Sequence, residues 1–194
     1  MTPVLPLHSL GQRIVVLGPS NAGKPTLAAA LGRKLDIAVV HLDQLHHQPN
    51  TNWVPRPREE FHALQRAAML GDAWVMDGNY SGLFDERLAR ATGAIVLDDG
   101  HWQRTGRYLR RTLFEHHRIG SLEGNKDSVK WSMLHWVFVA SRHNGARYRR
   151  TVAAAGLPHV FCQSLRQVRD LYAAWDLAWP YPAHRPAQKR ERRP

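Results

Sequence analysis

The predicted fold depends on the stretch GPSNAGKPT, residues 18–26. It follows the apolar run IVVL, residues 14–17, and leads into the alanine- and leucine-rich run 26–31. A strand, a glycine-bounded loop, a lysine and a helix in this order are typical of a phosphate-binding loop. Gly18 and Gly23 permit backbone angles at which successive N–H groups point at one anion. The positive end of the helix dipole and the charge of the lysine favour the same anion.

The whole loop is therefore the predicted nucleotide site. Its members are Gly18, Pro19, Ser20, Asn21, Ala22, Gly23, Lys24, Pro25 and Thr26. We expect the loop to hold the β-phosphate of ATP and Lys24 to bridge the β- and γ-phosphates, which makes Lys24 a candidate catalytic residue.

Pro25 departs from the usual pattern G-x-x-x-x-G-K-[ST]. Proline has no hydroxyl for Mg²⁺ and no N–H for a phosphate, and it disfavours the helical conformation at Lys24. Thr26 keeps a hydroxyl, but it lies about 100° further around a helix. Thr26 stays a candidate Mg²⁺ ligand, and two interpretations remain open: full turnover, or nucleotide binding with weak turnover.

The length and the cysteine content of the chain limit the number of domains and the possible disulfides. The 194 residues suit one domain, predicted over 12–179, and the single cysteine, Cys162, excludes an intrachain disulfide. Residues 1–11 contain no long apolar run, so neither a signal peptide nor a membrane span is expected there. A cytoplasmic protein without a membrane partner is the expectation.

The positive charge is concentrated in two segments. Of the net charge of +11, residues 101–150 carry +8, from 11 Lys/Arg against 3 Asp/Glu. Residues 184–194 carry +4, and the tail 180–194 is expected to be disordered because proline and arginine dominate it. The internal segment indicates a clamp on phosphates or a solvated basic face, and nucleic-acid binding stays open.

Apolar strands alternate with helices along the chain, which predicts a parallel α/β sheet with helices on both faces. The strands are expected at 12–17, 38–42, 73–76, 94–97 and 160–162. The helices are expected at 25–34, from Pro57 to Gly71, at 86–89, 101–118, 128–143 and 147–155, and after the capping box of Ser164 and Gln167. A polar loop is expected around His46 and His47, and Asn144-Gly145 is read as a helix stop.

Ligands of such sheets bind at the carboxyl ends of the strands. That edge gathers the phosphate loop with Asp43, Asp77, Asp98 and Asp99, each of which follows or ends an apolar strand.

Three further stretches, HLDQLHHQPNTNWVPRP, WVMDGNYS and RYLRR, together with the loop, resemble adenylate-kinase-like P-loop proteins. The nearest resemblance is to the bacterial group known as AAA-family ATPases or DNA topology modulation proteins, and it covers roughly residues 12–178. It implies a five-stranded parallel sheet in a P-loop kinase topology with an arginine-rich helical lid, roughly 101–150.

The resemblance also implies roles for individual residues. Asp43 corresponds to an aspartate of shikimate and gluconate kinases that contacts the acceptor or the water shell of the metal. Asp77 resembles the aspartate of the adenylate-kinase DG motif and is a candidate for holding Mg²⁺. Arg87 resembles an arginine that faces the acceptor. The lid arginines are matched by Arg107, Arg110 and Arg111, with Arg104 and Arg118 as weaker candidates.

Other interpretations carry less weight. His41, His46 and His47 lack the spacing of a zinc site. Two functions stay open: a small-molecule kinase that uses ATP and Mg²⁺, with Asp43 and Asp77 catalytic and Arg107 and Arg111 stabilising charge, and a nucleic-acid-associated ATPase. No helix-turn-helix, zinc finger or stacking motif supports the second.

Overall fold

The computed structural model describes residues 4–51, 53–98 and 144–180. Five strands form one parallel sheet in the order β2-β3-β1-β4-β5. The strands are β1 Arg13–Leu17, β2 Ala38–His41, β3 Trp74–Asp77, β4 Gly93–Leu97 and β5 His159–Cys162. The predicted α/β architecture is confirmed, with every strand within two residues of its expected bounds.

Six α-helices are described, after a short 3₁₀ helix at Leu7–Leu10. They are α1 Lys24–Leu35, α2 Leu42–His46, α3 Arg58–Met69, α4 Phe84–Arg90, α5 Asn144–Ala154 and α6 Leu165–Ala174. None of these described helices is long and apolar enough to cross a bilayer. The helices predicted at 101–118 and 128–143 lie outside the described residues, as does the tail beyond Pro180.

The sheet is covered on both faces, which explains the uninterrupted apolar run of β1. Ile14 and Val16 pack in a cluster with side chains of α1 and α6. Val15 and Leu17 pack in the opposite cluster with side chains of α3, α4 and α5. Burial on both faces leaves no polar position inside the strand, as expected for a central parallel strand.

Residues before the predicted domain boundary also belong to the core. Leu10 is fully buried, and Trp175 Nε1 donates a 2.8 Å hydrogen bond to the carbonyl of Leu5. Thr92 Oγ1 joins the same region by accepting from the Arg13 N–H at 2.9 Å and donating to the Leu10 carbonyl at 2.9 Å.

Three local expectations were wrong. Lys24 is the first residue of α1 although a proline follows it, because Pro25 occupies the second helical position, where an N–H would have no intrahelical acceptor. Residues 42–46 form α2 instead of a loop. Asn144 and Gly145 are helical residues of α5, so they do not end a helix.

Candidate functional site

The phosphate loop lies at the carboxyl end of the central strand β1 and runs into α1. Asn21 and Gly23 adopt left-handed backbone conformations, with φ of 62° and 89°. Gly18 has φ of 141°, and a Cβ built there would lie 2.1 Å from the Leu97 carbonyl oxygen. Only glycine fits that position. Left-handed conformations within a turn, as at Asn21 and Gly23, help to direct successive backbone N–H groups toward an anion.

Lys24 folds back across the loop. Its Nζ donates a 3.0 Å hydrogen bond to the carbonyl of Pro19, and the first described helical hydrogen bond of α1 runs from the Leu27 N–H to the Gly23 carbonyl at 3.1 Å. The ammonium and the positive end of α1 therefore face the same small volume, which favours a multiply charged anion.

Thr26 lies on the side of α1 that faces a cleft next to the loop. The cleft has an empty volume of about 410 Å³, which includes space open to solvent. It is lined by Ala22, Gly23, Thr26, Leu27, Leu97, Leu165, Val168, Tyr172, Trp179 and Pro180. This apolar lining beside an anion site suits a flat, largely apolar group attached to a phosphate chain.

Asp43 lies in the first turn of α2 and is bound by a tyrosine from the next strand end. The Tyr80 hydroxyl donates a 2.8 Å hydrogen bond to Asp43 Oδ1. Burial raises the pKa of the Tyr80 phenol, and the Asp43 carboxylate raises the pKa further, so the tyrosine remains a protonated donor near neutral pH. Asp43 Oδ2 is the carboxylate oxygen that this hydrogen bond does not use.

Aromatic rings pack around this tyrosine. The ring of His46 lies 4.6 Å from that of Tyr80 and 5.0 Å from that of Phe61, between centroids. Burial lowers the pKa of His46, and the neighbouring His47 lowers it further, while Asp43 opposes both effects. A neutral imidazole is therefore favoured against the two rings.

Asp77 is the last residue of β3 and contacts a histidine on the adjacent strand. His41 and Asp77 are register partners, and His41 Nδ1 lies 2.5 Å from Asp77 Oδ1. No group of three or more His, Cys, Asp or Glu side chains in the described ranges is arranged to hold a metal ion. The donor set present fits a Mg²⁺ ion that is held chiefly by phosphate oxygens and water, with one carboxylate at most.

Arg87 lies beneath the segment 78–80 and is fully buried. Its Nη2 donates to the carbonyls of Gly78 and Tyr80, at 3.2 and 3.4 Å, and its guanidinium lies 5.3 Å from the centroid of the Phe84 ring. Its Nε and Nη1 have no hydrogen-bond partner among the described residues. Burial lowers the pKa of Arg87 to about 10, which leaves it charged at neutral pH.

Some of the basic side chains of the predicted site lie in segments that the structure describes, and others do not. Asp98, directly after β4, forms an ion pair with Arg149 of α5. The predicted lid arginines lie outside the described residues: Arg104, Arg107, Arg110, Arg111 and Arg118. The same holds for Asp99.

Sequence reasoning missed several residues of this edge. Asn79 and Tyr80 were visible as part of the DGNY stretch, directly after a strand whose end faces the site. Arg149 stands in the RYRR stretch near the end of the basic segment. No sequence motif marked Trp179 as a site residue, because its position beside the loop depends on how the chain turns after α6.

The fold is similar to that of several solved bacterial proteins. A gluconokinase from Sinorhizobium meliloti 1021 shares 17% identity, with 86% of this chain and 93% of that chain covered and a TM-score of 0.51. A shikimate kinase from Bacteroides thetaiotaomicron shares 16% identity, with 85% and 94% covered and a TM-score of 0.50. A protein from Chloroflexus aurantiacus, provisionally described as a kinase, shares 18% identity, with 84% and 94% covered and a TM-score of 0.51.

No family model matches the sequence. No curated protein matches it either. At these sequence identities, the similarity to the solved structures supports the fold but does not identify a substrate. The chain has the five-stranded parallel α/β core, with strand order 2-3-1-4-5, that is typical of small P-loop kinases.

Proposed function

We propose that this protein binds ATP at the phosphate loop and transfers the γ-phosphoryl group to a hydroxyl of a small molecule held near Asp43. One observation carries the proposal. The segment 78–80 links the two sites directly, because Asn79 hydrogen-bonds Gly18 of the loop and Tyr80 hydrogen-bonds Asp43. The loop after β1 and the Asp43 carboxylate after β2 therefore lie on either side of the end of β3, at one edge of the sheet.

ATP matches the chemistry of the loop and the cleft together. The loop and Lys24 suit the phosphates, and the apolar side chains of Leu165, Val168 and Trp179 suit the base. Arg107, Arg110 and Arg111, which lie outside the described residues, are the proposed source of guanidinium groups that stabilise the charge of the transferring group.

The reaction follows from these positions. The acceptor oxygen forms a bond to the γ-phosphorus, the bond from that phosphorus to the β–γ bridging oxygen breaks, and ADP leaves with the electron pair. The hydroxyl proton passes to Asp43 Oδ2, since Tyr80 already donates to Oδ1. Asp43 thus orients the acceptor and accepts its proton.

Mg²⁺ fits the site as the partner of the nucleotide. When bound, it would neutralise phosphate charge, and Asp77 is the carboxylate that we propose would hold its water shell. The Thr26 hydroxyl is the other candidate. His41 fixes the Asp77 carboxylate by its contact to Oδ1.

The acceptor class is suggested by the neighbours. Shikimate and gluconate, named in two of the similar structures, are polyhydroxylated carboxylates. Such compounds are the first acceptors to test, followed by other sugar acids, sugars and nucleoside monophosphates.

Calorimetry with ATP, ADP and their Mg²⁺ forms, followed by a coupled assay for ADP release with that panel, tests the proposal. Lys24→Met removes the loop ammonium, and we expect it to weaken ATP binding by about tenfold or more. Lys34→Met is the matched control: it removes an ammonium from the far end of α1, where Lys34 pairs with the exposed Asp176. Absence of any nucleotide binding by the unaltered protein would overturn the proposal.

A nucleic-acid-associated ATPase is the second candidate, because residues 101–150 and 184–194 hold the charge excess and the sequence resembles the DNA topology modulation group. A salt series separates the two. DNA affinity that falls steeply with salt, together with DNA-stimulated ATP hydrolysis, would favour this second function.

A further inference from the structure

Asn79 pairs with both polar groups of one residue of the phosphate loop. Its Oδ1 accepts from the Gly18 N–H at 3.3 Å, and its Nδ2 donates to the Gly18 carbonyl at 2.6 Å. The two contacts span 61 positions of sequence and join the residue after β1 to a residue after β3.

The pair continues the sheet after the backbone of β3 has left it. The last register pair of the two strands is Val16 with Asp77, and the Gly78 N–H still reaches the Val16 carbonyl at 3.4 Å. At Gly78 the backbone takes φ of 131° and turns away. The side-chain amide of Asn79 then supplies to Gly18 a donor and an acceptor, which in a continued parallel ladder would have come from two successive peptide groups of the neighbouring strand.

Gly18 is confined from its other side as well. A Cβ there would lie 2.1 Å from the Leu97 carbonyl oxygen at the end of β4. The first peptide of the loop therefore lies between β4 and the Asn79 amide. The direction in which the chain enters the loop is fixed by contacts on both sides.

Asn79 is itself held in place by a buried cation. Arg87 Nη2 donates to the carbonyls of Gly78 and Tyr80, which flank Asn79 in sequence. Arg87 is fully buried, so these contacts are shielded from water. A shielded charge-assisted hydrogen bond is stronger than an exposed one, which restrains the segment 78–80.

We propose that Asn79 is a positioning residue of the phosphate loop: its amide sets the orientation of the Gly18 peptide, and through it the direction of the N–H groups that follow. The inference rests on the proposed ATP binding at this loop. The role requires a donor and an acceptor in one planar group, which an amide provides and an ionised carboxylate does not.

The test compares Asn79→Asp with Asn50→Asp. Aspartate at 79 keeps the shape but places a carboxylate oxygen against the Gly18 carbonyl, whereas Asn50 is exposed and its substitution makes the same charge change elsewhere. Calorimetry with ATP, inorganic tripolyphosphate and adenosine separates the loop from the cleft. We expect about tenfold weaker binding of ATP and of tripolyphosphate by the Asn79→Asp protein, with adenosine unchanged and Asn50→Asp within twofold.

Hydrogen exchange of the nucleotide-free proteins gives a second readout that does not depend on function. The amides of residues 18–24 should exchange faster in the Asn79→Asp protein, while those of β4 and β5 keep their rates. Equal affinity for tripolyphosphate, or unchanged exchange at 18–24, would overturn the inference. Should Asn79→Asp not fold, Asn79→Ser, which loses the paired geometry without adding charge, is measured in the same way with the same criteria.

The two ideas fail differently. If the unaltered protein binds neither ATP nor tripolyphosphate, the proposed function fails, and the exchange rates at 18–24 still decide whether Asn79 restrains the loop. If the unaltered protein binds ATP and the Asn79→Asp protein binds ATP equally well, the proposed function is retained and the proposed role of Asn79 is rejected.

Discussion

Tyr80 and Asp43 meet through one 2.8 Å hydrogen bond, and that bond decides which carboxylate oxygen is available to an acceptor. Tyr80→Phe keeps the ring contacts with His46 and Phe61 but removes the donor. We expect turnover to fall by about tenfold, because Asp43 loses its fixed orientation, while ATP affinity stays within about twofold. Steady-state kinetics with the identified acceptor and calorimetry with ATP measure the two quantities. A loss of ATP affinity as large as the loss of turnover would contradict this role.

Pro25 has a residue-scale consequence for the metal. It occupies the second helical position, which a serine can also adopt, so Pro25→Ser adds a hydroxyl without disturbing α1. We expect Mg²⁺ to bind the ATP complex about tenfold more tightly, with a stability loss of at most about 1 kcal/mol from the freer unfolded chain. Mg²⁺ titrations of the ATP complex measure the change. An unchanged Mg²⁺ dependence would show that the metal is held without a loop hydroxyl.

Side-chain contacts of this kind could not be predicted from the sequence alone. The spacing of glycine and lysine predicts the phosphate loop, and the position of the aspartates after apolar runs predicts that they lie at the same edge of the sheet. The pairing of Asn79 with Gly18 and of His41 with Asp77 depends on strand register, which brings together residues 61 and 36 positions apart. No local pattern encodes that register.

The N-terminus of α6 lies where the sequence predicts it, directly after Ser164. The Ser164 hydroxyl accepts from the Gln167 N–H at 3.2 Å, as the predicted cap requires. The Gln167 side chain accepts at 2.6 Å from the N–H of Gln163, one residue before the position expected in a reciprocal capping box. The cap matters for the site because Leu165 and Val168 of α6 line the cleft.

Ser164→Ala should lower the free energy of unfolding by about 1 kcal/mol, the usual cost of losing a helix N-cap. Urea denaturation followed by circular dichroism measures it. Ser9→Ala is the control, because Ser9 lies inside the short 3₁₀ helix Leu7–Leu10 and is not its N-cap residue. Equal effects of the two substitutions would mean that the cap contributes nothing.

The elements that sequence predicted well are those with a strong periodic or apolar signal. Burial on both faces makes β1 and β4 uninterrupted apolar runs, and their positions were recognised. The five-residue helix α2 was missed because its histidines and polar residues carry no amphipathic pattern at that length. Asn144-Gly145 was misread because asparagine and glycine often follow the last turn of a helix, although neither residue is confined to that position.

At the scale of the whole molecule, stability should depend on pH through His46. Its pKa is lowered in the folded state, chiefly by burial, so the unfolded chain takes up a proton first as the pH falls. The free energy of unfolding should therefore decrease as the pH falls through about 6.5 toward the lower pKa of the folded state. Urea denaturation at about pH 7.5 and about pH 5.5 measures this change, and His46→Gln should reduce it.

The exposed His8 gives the comparison for that experiment. His8→Gln should leave the difference between the two pH values as it is in the unaltered protein. If both substitutions reduce the difference equally, or if neither does, the burial of His46 among Phe61 and Tyr80 is not what makes stability depend on pH.

Trp179 stands at the wall of the cleft beside the phosphate loop, edge-on to Tyr172 with ring centroids 4.9 Å apart. An indole in that position is an optical reporter supplied by the chain itself. A molecule that enters the cleft displaces water from the ring, and the emission should move to shorter wavelength and change in intensity. Replacing Trp179 by phenylalanine would silence that component of the spectrum while keeping an apolar wall, so ligands can be screened without labels or radioactivity.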